Sequence, residues 1–274
     1  MKKTILTLTL TFASMIVFGQ EVFEKNGKYG FKNTNGKEIV PAKYDYVYAF
    51  SDGISAVKLN EKYGFINETG KFITPIQYDY IPIDVKYDIG PAGTYINISN
   101  GLVRVGINKK YGFIDKNGIE IIPVKYENAG DFSEELAPVM LNDKWGCIDK
   151  LEKVIIAFKY DDIKYFHNGF VSACNNSKWG IVDKTGKEIT TFKYDYIHSF
   201  TEERAAVLLD KKWGFIDTLG KVIIPIIYSE VGSFYNGKVN YEKEVLEGGY
   251  ILNIGGVERR VIKGYLDKNG NEVK

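Results

Sequence analysis

The sequence predicts an all-β protein, a tandem array of seven three-stranded, 34-residue repeat units. Three observations carry this. First, an aromatic-Gly step recurs at Tyr29-Gly30, Tyr63-Gly64, Tyr111-Gly112, Trp145-Gly146, Trp179-Gly180 and Trp213-Gly214, with Lys263-Gly264 as a degenerate seventh. The steps are 34, 48, 34, 34, 34 and 50 residues apart, so the unit is 34 residues, with insertions of 14 and 16 in the second and sixth copies. Second, apolar residues sit two apart, as in Val57 and Leu59, Val105 and Ile107, or Val207 and Leu209, and no run has helical periodicity. Third, 20 Tyr, 16 Phe and 28 Gly beside only 7 Pro make a composition of short strands and turns.

Each unit reads in the same order. It opens with an apolar strand such as "ISAVKLN" or "RAAVLLD". A tight polar link leads to the strand "KWGFID". There the Trp or Tyr and the Phe share one face and the Gly and Ile the other, as suits a middle strand covered on both sides. The Gly recurs in all seven units, which marks a bend or a close approach. A turn such as "DKNG" follows, with an Asx residue to open it and Gly in the left-handed position, the signature of a type I turn plus bulge. The fourth unit has Glu152 in place of this Gly, so a different turn is open to it. A third strand such as "KEIVP" closes the meander, often at Pro. The connection carries Tyr44-Asp45, Tyr78-Asp79, Tyr126-Glu127, Tyr160-Asp161 or Tyr194-Asp195, then Phe50, Phe132, Phe166, Phe200 or Phe234. One unit cannot bury its own apolar faces, and stacked units share a continuous core. Each unit appears whole, with no blade split between the ends. The expectation is therefore an open β-solenoid-like array, with a seven-bladed β-propeller-like ring as the alternative.

The recurring "KWGFID-K-x-G-K" step, with its following P-x-K-Y-D, resembles the WG-repeat (KWG-repeat) family of bacterial proteins. The resemblance covers nearly the whole chain from residue 22, although the first three copies use Tyr for Trp and the last uses Lys263. It implies an all-β tandem array, often on exported proteins of Gram-negative bacteria, with a binding role and no catalytic residues.

The first residues read as a leader. Lys2 and Lys3 precede an apolar run from Ile5 to Phe18, of secretory h-region length, and Gly19 offers a cleavage site before Gln20. Residues 1–19 are thus expected to be a signal peptide and 20–274 a single WG-repeat domain. The product would be exported to the periplasm, associated with the outer membrane or secreted, with no membrane span in the mature chain. Without Lys2 and Lys3, 34 basic residues face 35 acidic ones, which gives no electrostatic case for nucleic acid. Cys147 and Cys174 lie where other copies carry Phe, Ile, Met or Leu, and read as small apolar fillers rather than a disulfide.

Side chains that carry chemistry are few. Asp115, Asp149, Asp183, Asp217 and Asp267 hold one repeat position and read as turn residues capping their own backbone. Lys28, Lys62, Lys110, Lys144, Lys178 and Lys212 precede the aromatic and read as solvated strand ends. His167 and His198 join no Cys or acid at metal-ligand spacing, so no metal or cofactor is expected. Tyr44, Tyr78, Tyr126, Tyr160, Tyr194 and Tyr228, with Tyr46, Tyr80 and Tyr196 two residues after three of them, read as mortar between units; exposed in a row, they would instead stack on sugars or grip a peptide. Copies differ most at the insertions, near 84–97 and 238–253, and inserted loops are where recognition concentrates. Tyr87, Asp88, Tyr95, Tyr241 and Glu244 are the candidate contact residues there. The expected function is a non-enzymatic exported binding or scaffold protein for a protein or peptide partner, with a carbohydrate-binding module as the alternative.

Overall fold

The computed structural model describes residues 20–85, 94–248 and 257–273. The expected leader, residues 1–19, lies outside them. Every regular element among the described residues is a β-strand, so no helix there is long and apolar enough to cross a membrane. The chain divides into two compact units. One comprises the residues up to Asn108 with Ile114–Glu120, the other Lys109–Phe113 with the residues from Ile121 onward.

The second repeat shows the plan. Ile54–Leu59, Lys62–Asn67 and Phe72–Tyr78 form an antiparallel meander. A short fourth strand, Tyr46–Val47, comes from the preceding connection and pairs with the first, Tyr46 opposite Lys58 and Val47 opposite Val57. The same addition precedes the fourth repeat (Asn128–Ala129), the fifth (Asp162–Ile163), the sixth (Tyr196–Ile197) and the seventh (Glu230–Val231). The sheets of the second, fourth, sixth and seventh repeats thus have four strands rather than the expected three, because a two-residue strand is too short to show a period in the sequence; in the fifth the third strand is reduced to single bridges, Trp179 with Tyr194 and Val182 with Glu188.

Turn chemistry sets the register. The link between the first and middle strands holds two consecutive left-handed residues, such as Asn60 (φ 51°) and Glu61 (φ 62°) or Asp210 (φ 49°) and Lys211 (φ 64°). This is a type I′ turn, whose twist matches that of the strands it joins. The turn after the middle strand is the expected type I with a bulge. Asp217 Oδ1 accepts from Leu219 N at 3.0 Å and Lys221 N at 2.9 Å, and Gly220 is left-handed. The fourth repeat keeps this turn unchanged. Glu152 takes φ 62° itself, and its N–H reaches Asp149 O at 3.0 Å as the Gly does elsewhere.

The middle-strand Gly has a specific cause. Trp213 pairs with Tyr228 but Phe215 pairs with Ile224, so two extra residues of the third strand bulge across Gly214. A Cβ on Gly214 would lie 2.7 Å from Ile224 O and 2.8 Å from Ile226 Cα. Pro225 sits inside this bulge, a place in a sheet that tolerates a missing N–H. The third strand therefore does not end at its Pro, as the sequence suggested, but runs on to Tyr228.

Each sheet is apolar on both faces, which builds the core between successive repeats. In the sixth repeat, Val207 and Ile216 pack with Ile181, Tyr194 and Phe200, while Ala206, Phe215 and Ile224 pack with Val239, Tyr241 and Leu266. Cys147 stands where other copies have Phe113 or Phe215 and packs with Tyr160 and Phe166. Both cysteines are free and buried, and burial pushes the Cys147 thiol up to about 12, so it is a filler and not a nucleophile.

The two insertions are built differently. The first pairs Ile83–Val85 with Thr94–Ile96 and folds back on the first connection, where Ala49 N donates to Thr94 O at 2.9 Å. The second does not interrupt a connection, as expected, but lengthens a hairpin. Lys238–Gly248 and Val257–Asp267 are the first and middle strands of the seventh repeat, and Tyr241 faces Gly264 as Val207 faces Gly214. The added residues lie beyond the Lys243–Ile262 pair. Alignment on the aromatic-Gly step fixes the insert's length but not the side of the first strand on which it enters.

The bulge makes a graded prediction. Gly146→Ala would place Cβ 2.5 Å from Ile156 O, a backbone atom that cannot yield, and should cost about 3 kcal/mol or more in a denaturant titration. Gly180→Ala meets only the Phe192 ring at 3.1 Å and should cost clearly less. Equal losses at the two positions would show that the crossing is not what selects Gly.

Candidate functional site

The rows of like residues resolve mostly into structure. The turn aspartates cap their own backbone, as expected: Asp183 Oδ1 accepts from Thr185 N at 2.8 Å and Lys187 N at 3.0 Å. No group of three or more His, Cys, Asp or Glu able to hold a metal ion occurs among the described residues.

The lysine row is more than solvated strand ends. In five copies the Lys before the aromatic pairs with the acid of the Tyr-acid step, as in Lys28 with Asp45, Lys62 with Asp79, and Lys178 with Asp195 at 2.5 Å. Lys144 and Asp161 are 2.5 Å apart, and Lys110 and Glu127 3.5 Å. The acid's second oxygen accepts from the type I′ turn of the following repeat: Asp161 Oδ2 from Asn176 N at 2.7 Å, and Asp195 Oδ2 from Asp210 N at 2.8 Å. One carboxylate thus ties a Lys of its own repeat to the backbone of the next. The Lys hydrogen bond, then the turn N–H, holds the Asp45, Asp79, Asp161 and Asp195 carboxyls below the ordinary aspartate value. For Glu127 the Asp143 N–H is the larger cause.

The six connection tyrosines are mortar. Tyr44, Tyr78, Tyr126, Tyr160, Tyr194 and Tyr228 are 0–7% exposed; all but Tyr194, which is bridged singly to Trp179, end a third strand. Tyr126 donates to Glu152 at 2.9 Å and Tyr160 to Glu188 at 3.1 Å, and in each case the preceding Lys binds the same carboxylate. Val154 stands in the fourth repeat where Glu188 stands in the fifth, so Glu152, two residues earlier, supplies the missing acid. That accounts for Glu in a position that otherwise asks for Gly. In the sixth repeat Val222 holds the Glu188 position, and the Tyr194 hydroxyl, fully buried, has no hydrogen-bond partner among the described residues.

The insertion residues do not converge. Tyr87 and Asp88 lie outside the described residues. Tyr95 is half-buried in the short hairpin, with its backbone paired to Asp84 and bridged to Ala49. Tyr241 is not a contact residue: it is 3% exposed, packs on Tyr228 at 5.0 Å and donates to Glu272 at 2.6 Å. It faces inward because it takes the first-strand core position that Val207 holds one repeat earlier. Glu244 lies 3.7 Å from Lys212, which has Ser229 in place of the usual acid.

A different cluster stands at the surface. Tyr196 lies between the tryptophans of successive repeats, 6.2 Å from Trp179 and 6.3 Å from Trp213, centroid to centroid. His198 packs on Tyr196 at 5.2 Å and on Trp213 at 5.1 Å. The Lys164 ammonium sits 3.7 Å over the Tyr196 ring and 4.7 Å over Trp179, and donates to Ile197 O at 3.1 Å. Partial desolvation among the rings, and secondarily the Lys164 charge, pushes His198 below the usual imidazole value. Lys164 and His198 hold the same repeat position, which is Tyr48, Pro82, Gly130 and Gly232 in other copies; Tyr196 corresponds to Tyr46, Tyr80, Asn128, Asp162 and Glu230. The alignment displays this variation, but only the fold places both variable positions beside the constant aromatic ring.

Two outcomes follow. A carboxyl depressed in the folded state adds stability that is fully present above its unfolded value, near pH 4, and is lost as pH falls through the folded value. The melting temperature should therefore hold down to about pH 5 and fall steeply below about pH 4. Asn at Asp45, Asp79, Asp161 and Asp195 together should lower it at pH 7 and flatten the acid limb; an unchanged slope would remove the clamp from the account. Val222→Glu should give Tyr194 its acceptor and raise stability by about 1 kcal/mol in a urea titration, and a loss would show that this hydroxyl needs none.

Comparison with known proteins places the chain. No curated protein matches it. Among solved structures, the AfRom2 CNH domain aligns at 8% identity over 89% of this chain and 90% of that one, with a TM-score of 0.32. Dihydro-heme d1 dehydrogenase NirN aligns at 11% identity over 93% and 72%, with a TM-score of 0.36. The extracellular domain of a putative one-component system from B. thetaiotaomicron aligns at 12% identity over 91% and 39%, with a TM-score of 0.36. Scores at this level carry no argument about function. The family described as WG containing repeat matches residues 29–63, 63–84, 111–145, 145–179, 179–213 and 213–244, the span of the bulged middle strands and their clamps. The chain belongs to the WG-repeat family.

Proposed function

We propose that this is a non-enzymatic exported protein, a scaffold that holds a protein or peptide partner in the cell envelope. One observation supports it most. The residues common to the repeats are consumed in building the array, whereas two positions that vary, one held by Lys164 and His198 and the other by Tyr196, stand together beside Trp179 and Trp213. Tyrosine and tryptophan are enriched in protein-binding patches. The titratable rows go to turns, clamps and buried hydroxyl pairs, which supports binding over catalysis. The glycan reading rested on an exposed row of connection tyrosines; the six that recur in every connection are buried, and Tyr80 and Tyr196 stand exposed singly rather than as a row. Export rests on the leader pattern of residues 1–19.

The test is a pull-down from envelope and secreted fractions with residues 20–274. It runs in parallel with a form trimmed in both insertions and a form carrying Lys164→Gln and Tyr196→Ala. A partner held by the first two and lost by the third is the expected result. Loss only with the trimmed form would move recognition to the insertions. Capture of no protein by the intact chain would overturn the reading.

A further inference from the structure

We propose that the cluster of Lys164, Trp179, Tyr196, His198 and Trp213 is the docking site for an extended acidic peptide containing proline. This rests on the binding role above and names the chemistry of the partner.

Charge comes first. The acids nearest in sequence to Lys164 and His198 are already engaged: Asp161 by Lys144 and Asn176 N, Asp162 by Ile163 N, and Asp195 by Lys178 and Asp210 N. The described ion pairs give Lys164 no carboxylate, and its hydrogen bond goes to a neutral carbonyl, Ile197 O. The ammonium is half-buried among rings, where a cation is screened less than in open water. The group that completes this site is an anion.

Shape comes second. Trp179 and Tyr196 are inclined by 57°, Tyr196 and Trp213 by 74°, and His198 and Trp213 by 35°. Rings set this steeply leave notches between ridges rather than a flat platform. A sugar needs an open ring face, and the face of Tyr196 is occupied by Lys164 at 3.7 Å. A proline ring fits a notch between aromatic ridges, and a polyproline II chain needs no strand to pair with. The neighbouring backbone is in fact taken, since Tyr196 and Ile197 pair with Leu208 and Val207. Tyr196 is 38% exposed and His198 is exposed, so a ligand can reach both.

The chain has three tryptophans, Trp145, Trp179 and Trp213, and two of them belong to the cluster, so tryptophan emission reports on it. Residues 20–274 would be titrated with an alternating Glu-Pro oligopeptide, an alternating Lys-Pro oligopeptide and oligogalacturonate. The expected result is a saturable emission change with Glu-Pro alone, weakened by added salt. Lys164→Gln and Tyr196→Ala should each weaken it about tenfold or more, with circular dichroism and melting temperature kept. Lys193→Gln, outside the cluster, should leave it unchanged. Binding of oligogalacturonate without Glu-Pro would overturn the proposal in favour of an acidic glycan. So would equal binding of Glu-Pro and Lys-Pro, no binding of either, or indifference to Lys164→Gln in a folded variant. If the pull-down partner survives Lys164→Gln, this site fails while the binding role stands.

Discussion

The crossing of the third strand over the middle-strand glycine is the constraint on which the repeat depends. Two extra residues in the third strand lift it across Gly214 and allow a proline in mid-strand. The strand then returns to register at its last residue, the tyrosine, which is buried in the core, while the residue after it, an acid in every connection but that of Ser229, lies at the sheet edge. A side chain at the glycine would push the third strand away, and both the buried tyrosine and the carboxylate would miss their partners.

From that crossing the ties between repeats follow. The acid accepts a lysine from its own middle strand and an N–H from the turn ahead, and the tyrosine hydroxyl reaches a glutamate of the next repeat. The loop before the first strand adds another link in the fourth and sixth repeats: Glu134 accepts from Gly169 N at 2.9 Å and Glu202 from Gly237 N at 3.0 Å. Glu152 shows that the pairing matters more than the position. The fourth repeat gives up the easy glycine of its turn, at a backbone cost of about 1 kcal/mol, to deliver a carboxylate to Tyr126.

Much of this was legible in the sequence. Period, strand order, the Asx turns and the double-faced middle strand are local or repeating signals. The long-range ties were not, because Lys178 and Asp195 stand 17 residues apart and meet only after the chain reverses at the Asp183 turn. The short fourth strand has no period to read, and the second insertion could not be placed on one side of its strand. The surface cluster escaped for a related reason. Trp179 and Trp213 recur and so look like mortar, and His198 taken alone looks unremarkable beside them. Only the register of Tyr196 opposite Leu208 brings the constant and the variable residues onto one face.

The similarity of successive copies also creates a hazard during folding. A sheet that carries the same glycine, tyrosine and acid as its neighbours presents nearly the same docking surface to several partners, and repeat arrays are prone to misassembly of this kind. The departures from consensus then act as addresses. Cys147 in place of a phenylalanine, Glu152 in place of a glycine, and Asn168 reaching Phe200 O where Glu134 and Glu202 accept a backbone N–H make these junctions distinct. A junction formed with the wrong neighbour would leave a hole, a stranded carboxylate or an unmatched amide, and so would not persist.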